Sequence, residues 1–536
     1  MAENAIFAIT LLRSVLIGAV AVAVALPLRT LLAHPRLSRR RVAWVLLLAP
    51  YLTPVLLTGY GYANFSLSLI HHPAINLVFY SALLWWKFTP IAALILYFTP
   101  SPISAEAVHC WRLVAQSGYS IGAHWLKATG IAFIRGMAIR KSQLGRRPAE
   151  CNSAIQQSAT LRYEGQVAAS RNAAMKYPGQ GTFSTLCEWS FLVRAGCLNG
   201  PLAAFAAVFL CAFAEFEMAS LMVVKSWTVS LFDAHAGGLA LGQSLRRMLV
   251  PLACEAVAIA VAFTVLSRSR VTPTRRIDGG AASRGFAWGY LGMAAFFVLV
   301  LPAAKVLWGT MAGFGLLLED FVLTREIVAS LLFAAGGTVI AGLLAFGCGK
   351  TSMPGKKGTE SHFVRGRRIG NVFLVVAVFA GLLGPLVLSL TVLAAVQWPG
   401  LVWLRDTPAP LVLTLALVLL PMALVLKRVL DLTRPQSALH LAGLLNPSRS
   451  ARELTWRLST SGKFWALVLL FIWAYWDLTA SAILAPVGMT PVTVRLYNLM
   501  HYGQIAVLSA MTCAAFAAPV LIFLLVFATR RWWAPR

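Results

Sequence analysis

Apolar residues in this chain come in long unbroken blocks set apart by short polar stretches, not at the alternate spacing of a half-buried strand. A helix needs about 20 apolar residues to cross the roughly 30 Å hydrocarbon layer of a bilayer, whereas transmembrane strands are shorter and alternate. The blocks predict eleven spans, at 5–33, 42–63, 74–98, 198–224, 239–266, 286–308, 326–346, 372–396, 410–426, 464–484 and 505–529. The ninth is short, so the count is bracketed at ten to twelve. The expected fold is an all-α polytopic membrane protein. The first block is too long for a cleaved signal peptide and lacks its basic start, so it reads as a retained span.

The blocks repeat. Phe213-Ala-Glu-Phe-Glu217, then Thr228-Val-Ser-Leu-Phe-Asp233 and Gly238, returns later as Trp473-Ala-Tyr-Trp-Asp477, then Thr493-Val-Arg-Leu-Tyr-Asn498 and Gly503. Pro54 and Pro90 stand 36 residues apart, and so do Pro385 and Pro421. Matched prolines in apolar helices predict matched kinks, since each removes a backbone donor. The chain therefore divides into two pseudo-symmetric halves, 1–267 and 286–536, joined by a basic cytoplasmic linker at 268–285. The first half carries a polar, basic insertion at about 119–197, and the second begins with an extra span, 286–308. Parallel repeats of this kind imply an axis along the membrane normal, with a substrate path down it.

Composition sharpens the class. Apolar residues make up 59% and charged ones 12%, with mean hydropathy +0.75, against roughly 45–50% and 25% in soluble proteins. The net charge of +28 invites a nucleic-acid reading, but its distribution points to the positive-inside rule. Lys and Arg concentrate at 36–41, 112–194, 268–284, 350–368, 427–463 and in Arg530, Arg531 and Arg536, while Lys225, Arg405 and Arg495 mark the sparse intervening loops. This places the N-terminus outside and the C-terminus in the cytoplasm, with the lipid bilayer and not nucleic acid as partner. Eight cysteines without a C-x-x-C pair predict neither disulfide nor metal site, and no cofactor is expected.

Charged residues inside spans are costly and mark function by default. Glu215, Glu217, Glu255 and Asp477 lie within the apolar blocks, Glu217 and Asp477 at matching places in the repeat, and are candidates to line a path for a cation. The alternative is that they bind backbone at helix ends. Thr228, Asp233, Thr493 and Asn498 belong to repeated outer loops, which form either a rim for a soluble partner or braces for the helices. His71 and His72 are adjacent, a poor chelate, and read as surface. The nearest approach to a phosphate-binding loop, Gly349-Lys350-Thr351, has Leu344 where the first glycine belongs, so ATP hydrolysis would fall to a partner. After the third shared span of each half come short amphipathic stretches, one with Glu106, Ala107 and Gly118, the other with Ala438, Gly443 and Trp456. Both suit the groove of another protein.

At these residues the chain resembles a fused, two-half permease of the ABC importer superfamily, nearest the ferric-iron and thiamine type. The family's coupling loop reads E-A-A, three residues, then G. Gly118 and Gly443 fit the glycine, but Arg112-Leu-Val114 and Ser437-Ala-Leu439 hold the E-A-A places, and Glu106-Ala107 comes several residues early. Stretches 198–238 and 464–503 match better. The resemblance implies two cytoplasmic ATPase subunits on the coupling loops, a periplasmic or extracellular binding protein, alternating access, and no enzymatic activity in this subunit. A secondary transporter driven by an ion gradient is the rival reading. A membrane enzyme would need a convergent acid, base or metal constellation, which the sequence does not present.

Overall fold

The computed structural model describes residues 2–33, 37–69, 71–99, 196–268, 281–320, 323–347, 374–433, 458, 460–501 and 505–533. Contacts divide the chain into Met1–Pro100 with Gly200–Arg536 as one unit and Ser101–Asn199 as another. The second unit falls almost wholly outside the described residues, as do Glu106, Ala107, Gly118, Ala438, Gly443 and Trp456.

The described residues form helices joined by turns and short loops, without a strand. The first helices are α1 (Ala2–Leu32), α2 (Leu37–Leu52), α3 (Val55–Ser68) and α4 (Pro73–Phe98). After the undescribed segment come α5 (Asn199–Phe213), α6 (Glu217–Leu221), α7 (Trp227–Ala236), α8 (Leu241–Arg247) and α9 (Leu249–Arg268). Next, α10 (Ala281–Ala295) runs through a π-turn (Phe296–Val300) into α11 (Leu301–Asp320), followed by α12 (Thr324–Gly342). Two short helices, α13 (Leu374–Leu382) and α14 (Pro385–Val396), lead to α15 (Ala409–Thr433). Last are α16 (Ser461–Tyr475), α17 (Thr479–Leu484), α18 (Val492–His501) and α19 (Ile505–Trp533).

Among the described residues, seven helices are long and apolar enough to cross a membrane, and up to nine spans result if each of two bent pairs counts once. This is an all-α membrane protein, but the expected eleven spans exceed what length and composition support among the described residues. The physical reason lies in the 198–224 and 464–484 blocks, whose continuous helices α5 and α16 each stop after 15 residues. A helix of that length rises about 22 Å, short of the apolar layer.

Proline explains two further departures. α2 and α3 meet at 68° across Thr53-Pro54, and α13 and α14 at 118° across Leu383-Gly384. Pro54 and Pro385 remove the donors that would carry the helix through, and Gly384 takes a left-handed φ of 83° that disfavours a side chain. Pro90 and Pro421, expected to kink, sit inside the continuous helices α4 and α15. The Leu417 carbonyl, four residues before Pro421 and so without its helical donor, lies directly against Gly381. That approach is open only to a residue with no Cβ.

Neighbour pairs fix helix directions. Gly336 meets Val412, Gly337 meets Leu415, and Lys427 Nζ donates to the Ala345 carbonyl at 2.9 Å, so α12 and α15 run parallel. The chain between them must therefore cross back to the end at which α12 begins. α11 and α19 run antiparallel, Gly309 against Ser509 and Gly313 against Ala506. Outward apolar stripes such as Val328, Leu332 and Val339 on α12, all more than half exposed, suit contact with lipid.

Candidate functional site: a junction of helix breaks

α5 ends at Phe213, and α6 begins at Glu217 after a three-residue break. The Glu215 carboxylate caps α6, accepting from the Met218 amide at 2.5 Å and the Ala219 amide at 3.1 Å, and also accepts the Tyr80 hydroxyl at 2.5 Å. Arg13, 5% exposed, lays its guanidinium 4.7 Å from the centre of the Tyr80 ring. None of its nitrogens has a hydrogen-bond partner. Thr228 donates to the Glu215 carbonyl at 2.8 Å, and the Trp227 indole donates to the Phe213 carbonyl at 2.8 Å, so α7 is tied to the break.

The second stretch builds the same object. α16 ends at Tyr475, the Asp477 carboxylate accepts from the Ala480 amide at 2.8 Å to cap α17, and Thr493 donates to the Asp477 carbonyl at 3.1 Å. In hydrogen bonding Asp477 therefore corresponds to Glu215, not to Glu217 as the sequence register suggested. Each carboxylate stands two residues beyond its helix end, at Phe213 or Tyr475. Aligning on aromatic residues hid this offset.

Glu217 does something else. Its Oε1 accepts from the Leu478 amide at 2.9 Å, the Thr479 amide at 3.3 Å and the Thr479 hydroxyl at 3.2 Å. A carboxylate of the first stretch thus sits at the N-terminus of the second stretch's short helix, where the dipole and free amides favour an anion. The other two breaks join them. Lys87, 4% exposed, donates its ammonium to the Thr53 carbonyl at the α2–α3 bend and lies within electrostatic reach of Glu217 and Glu215. Gly384, at the α13–α14 bend, abuts Ala214 in the α5–α6 break. Four helix breaks meet around five buried or half-buried charged side chains, Arg13, Lys87, Glu215, Glu217 and Asp477.

Of the predicted path residues, Glu215, Glu217 and Asp477 are brought together. Glu255 is not tied to them; it is wholly buried on α9, and neither carboxylate oxygen has a hydrogen-bond partner. Thr228 and Thr493 are also wholly buried and bonded to backbone, which makes them braces, not rim residues; only Asp233 and Asn498 of the four are exposed. Arg13, Tyr80 and Lys87 were missed. Their signal in the sequence is that Arg13 and Lys87 interrupt the apolar blocks 5–33 and 74–98, where a cation is as costly as a carboxylate. No family model matches the chain, and neither a curated protein nor a solved structure is similar to it.

Proposed function

We propose that the chain is the transmembrane subunit of an ATP-binding-cassette importer, moving a small cationic solute such as ferric iron or thiamine across a bacterial inner membrane by alternating access. Two copies of a cytoplasmic ATPase drive it, an outer binding protein delivers the solute, and the chain itself is not an enzyme. The observation that carries this reading is the Glu217 bond to α17, which links the first repeated stretch to the second across a set of helix breaks. Broken helices meeting where repeats join are a recurring design of transport sites. Two-half organisation is supported by matched packing, α1 along α4 as α12 along α15, and α3 on α6 as α14 on α17. One observation favours the rival, a gradient-driven carrier: Lys87 stands near the middle of the 26-residue helix α4, a place where such carriers keep ionisable groups. Purification from native membranes in mild detergent separates the two. A stoichiometric ATPase carrying a phosphate-binding loop is expected alongside the chain; purified chain that alone sustains gradient-driven uptake in vesicles would establish the rival instead.

A further inference from the structure

An open cleft of about 310 Å³ lies between the first turns of α12 and the loop after α17, lined by Thr324, Arg325, Val328, Ala329, Leu332 and Met489. We propose that it holds one anionic phospholipid, the headgroup at Arg325 and an acyl chain along Val328 and Leu332. The inference goes beyond the transport reading and requires only that the chain sit in a membrane.

The cleft is amphipathic along its length. Thr324 and Arg325 form a polar end, and the rest of the lining is apolar. Val328 and Leu332, 52% and 58% exposed, continue into Val339 on the outward stripe of α12, so the floor of the cleft merges with a surface that in a bilayer meets acyl chains. A volume near the lower bound of ligand pockets, roughly 300 Å³, takes part of a chain and leaves the remainder in the bilayer.

Depth follows from a second feature. Because α15 runs parallel to α12 with Val412 beside Gly336, the start of α15 at Ala409 stands level with about Phe333. The loop just before it exposes Trp398 at 72% and Trp403 at 71%, the signature of side chains resting in the headgroup layer. Arg325, eight residues before Phe333 and so about 12 Å further out along α12, lies at that same end.

Charge selects the class of lipid. Arg325 donates to the Gly488 carbonyl at 2.6 Å, which holds the guanidinium over the cleft. The N-cap of α12, Leu323, supplies no side-chain acceptor, so the first-turn amides add positive potential. Glu326, the acid of that turn, is not among the lining residues.

The test is native mass spectrometry of full-length protein released from nanodiscs of mixed phosphatidylglycerol and phosphatidylethanolamine. Wild-type protein is expected to retain phosphatidylglycerol in preference. R325Q should reduce that preference about fivefold, the equivalent of roughly 1 kcal/mol per basic side chain at a membrane surface, and R325K should restore most of it. L332W keeps the charge, fills the floor, and should lower retention of both lipids. Leu332 is exposed, so the variant is expected to fold. Wild-type lipid preference in R325Q, or undiminished retention in L332W, would overturn the site. Glycerol phosphate competing as strongly as phosphatidylglycerol would show instead a site for a soluble anion.

Discussion

At the scale of single residues, three carboxylates of similar surroundings do different work, and the difference lies in what their oxygens accept. Glu215 and Asp477 each cap the short helix that follows them, whereas Glu217 caps a helix 261 residues away. Loss of an N-cap acceptor costs about 0.5–2 kcal/mol. Glu217→Ala should therefore lower stability in detergent by about that amount, while Glu217→Gln, which keeps an acceptor oxygen in the same place, should cost less than half as much. Equal losses in a thermal unfolding assay would mean that the charge, not the acceptor, holds α17. Lys87 provides the complementary case. Because the set holds three carboxylates against two cations, removing a cation leaves buried carboxylates uncompensated, at about 3–5 kcal/mol, so Lys87→Met should be severely destabilised and Lys87→Met with Glu217→Gln partly rescued. Additive losses in that double-mutant cycle would show that Lys87 and Glu217 do not interact.

At the scale of elements, the helices were legible and their interruptions only partly so. Long apolar blocks can hardly be anything but helices in lipid, and the bends at Pro54 and Pro385 follow from missing amide donors. Pro90 and Pro421 carry the same local signal, yet α4 and α15 continue through them, and the Leu417 carbonyl that Pro421 leaves without a helical donor packs against Gly381, a tertiary contact no local pattern announces. The ends of α5 and α16 were hidden for a related reason. Nothing in Phe213-Ala-Glu or Tyr475-Trp-Asp forbids helix, and the break is fixed by caps and by threonines arriving from 13 and 16 residues further on. Two glycines with positive φ differ in both conformation and crowding, for Gly384 also has ψ 152°, a combination nearly closed to residues with a side chain. Gly384 has φ 83° and a Cβ there would stand 2.8 Å from the Ala214 side chain, while Gly488 has φ 82° with only Arg325 at 3.5 Å. Gly488→Ala should cost about 1–2 kcal/mol, the penalty of a left-handed φ, and Gly384→Ala clearly more, because its φ and ψ are nearly closed to a side chain and the α5–α6 break must also shift. Unfolding temperatures that rank the two in the opposite order would remove Gly384 from the junction.

At the scale of the whole molecule, the parallel course of α12 and α15 constrains topology more firmly than the charge of any loop. Basic loops say where a chain prefers to lie, and the rule tolerates exceptions: Arg325 stands at the end that the loop pattern assigns to the outside. Packing has no such latitude. With Gly336 against Val412 and Ala345 against Lys427, the starts of α12 and α15 share one end, so the chain between Gly347 and Ala409, which contains the 118° bend, has to cross back to it. In a protein freed of its native cysteines, Thr324→Cys and Asp406→Cys, both at exposed positions, should react with an impermeant maleimide from the same side, and Arg428→Cys only from the other. On the proposed reading, the side shared by the first two is the periplasm. Labelling of Thr324→Cys and Asp406→Cys from opposite sides would make the α13–α14 pair re-entrant, break the correspondence between Pro54 and Pro385, and leave the two-half architecture without its symmetry.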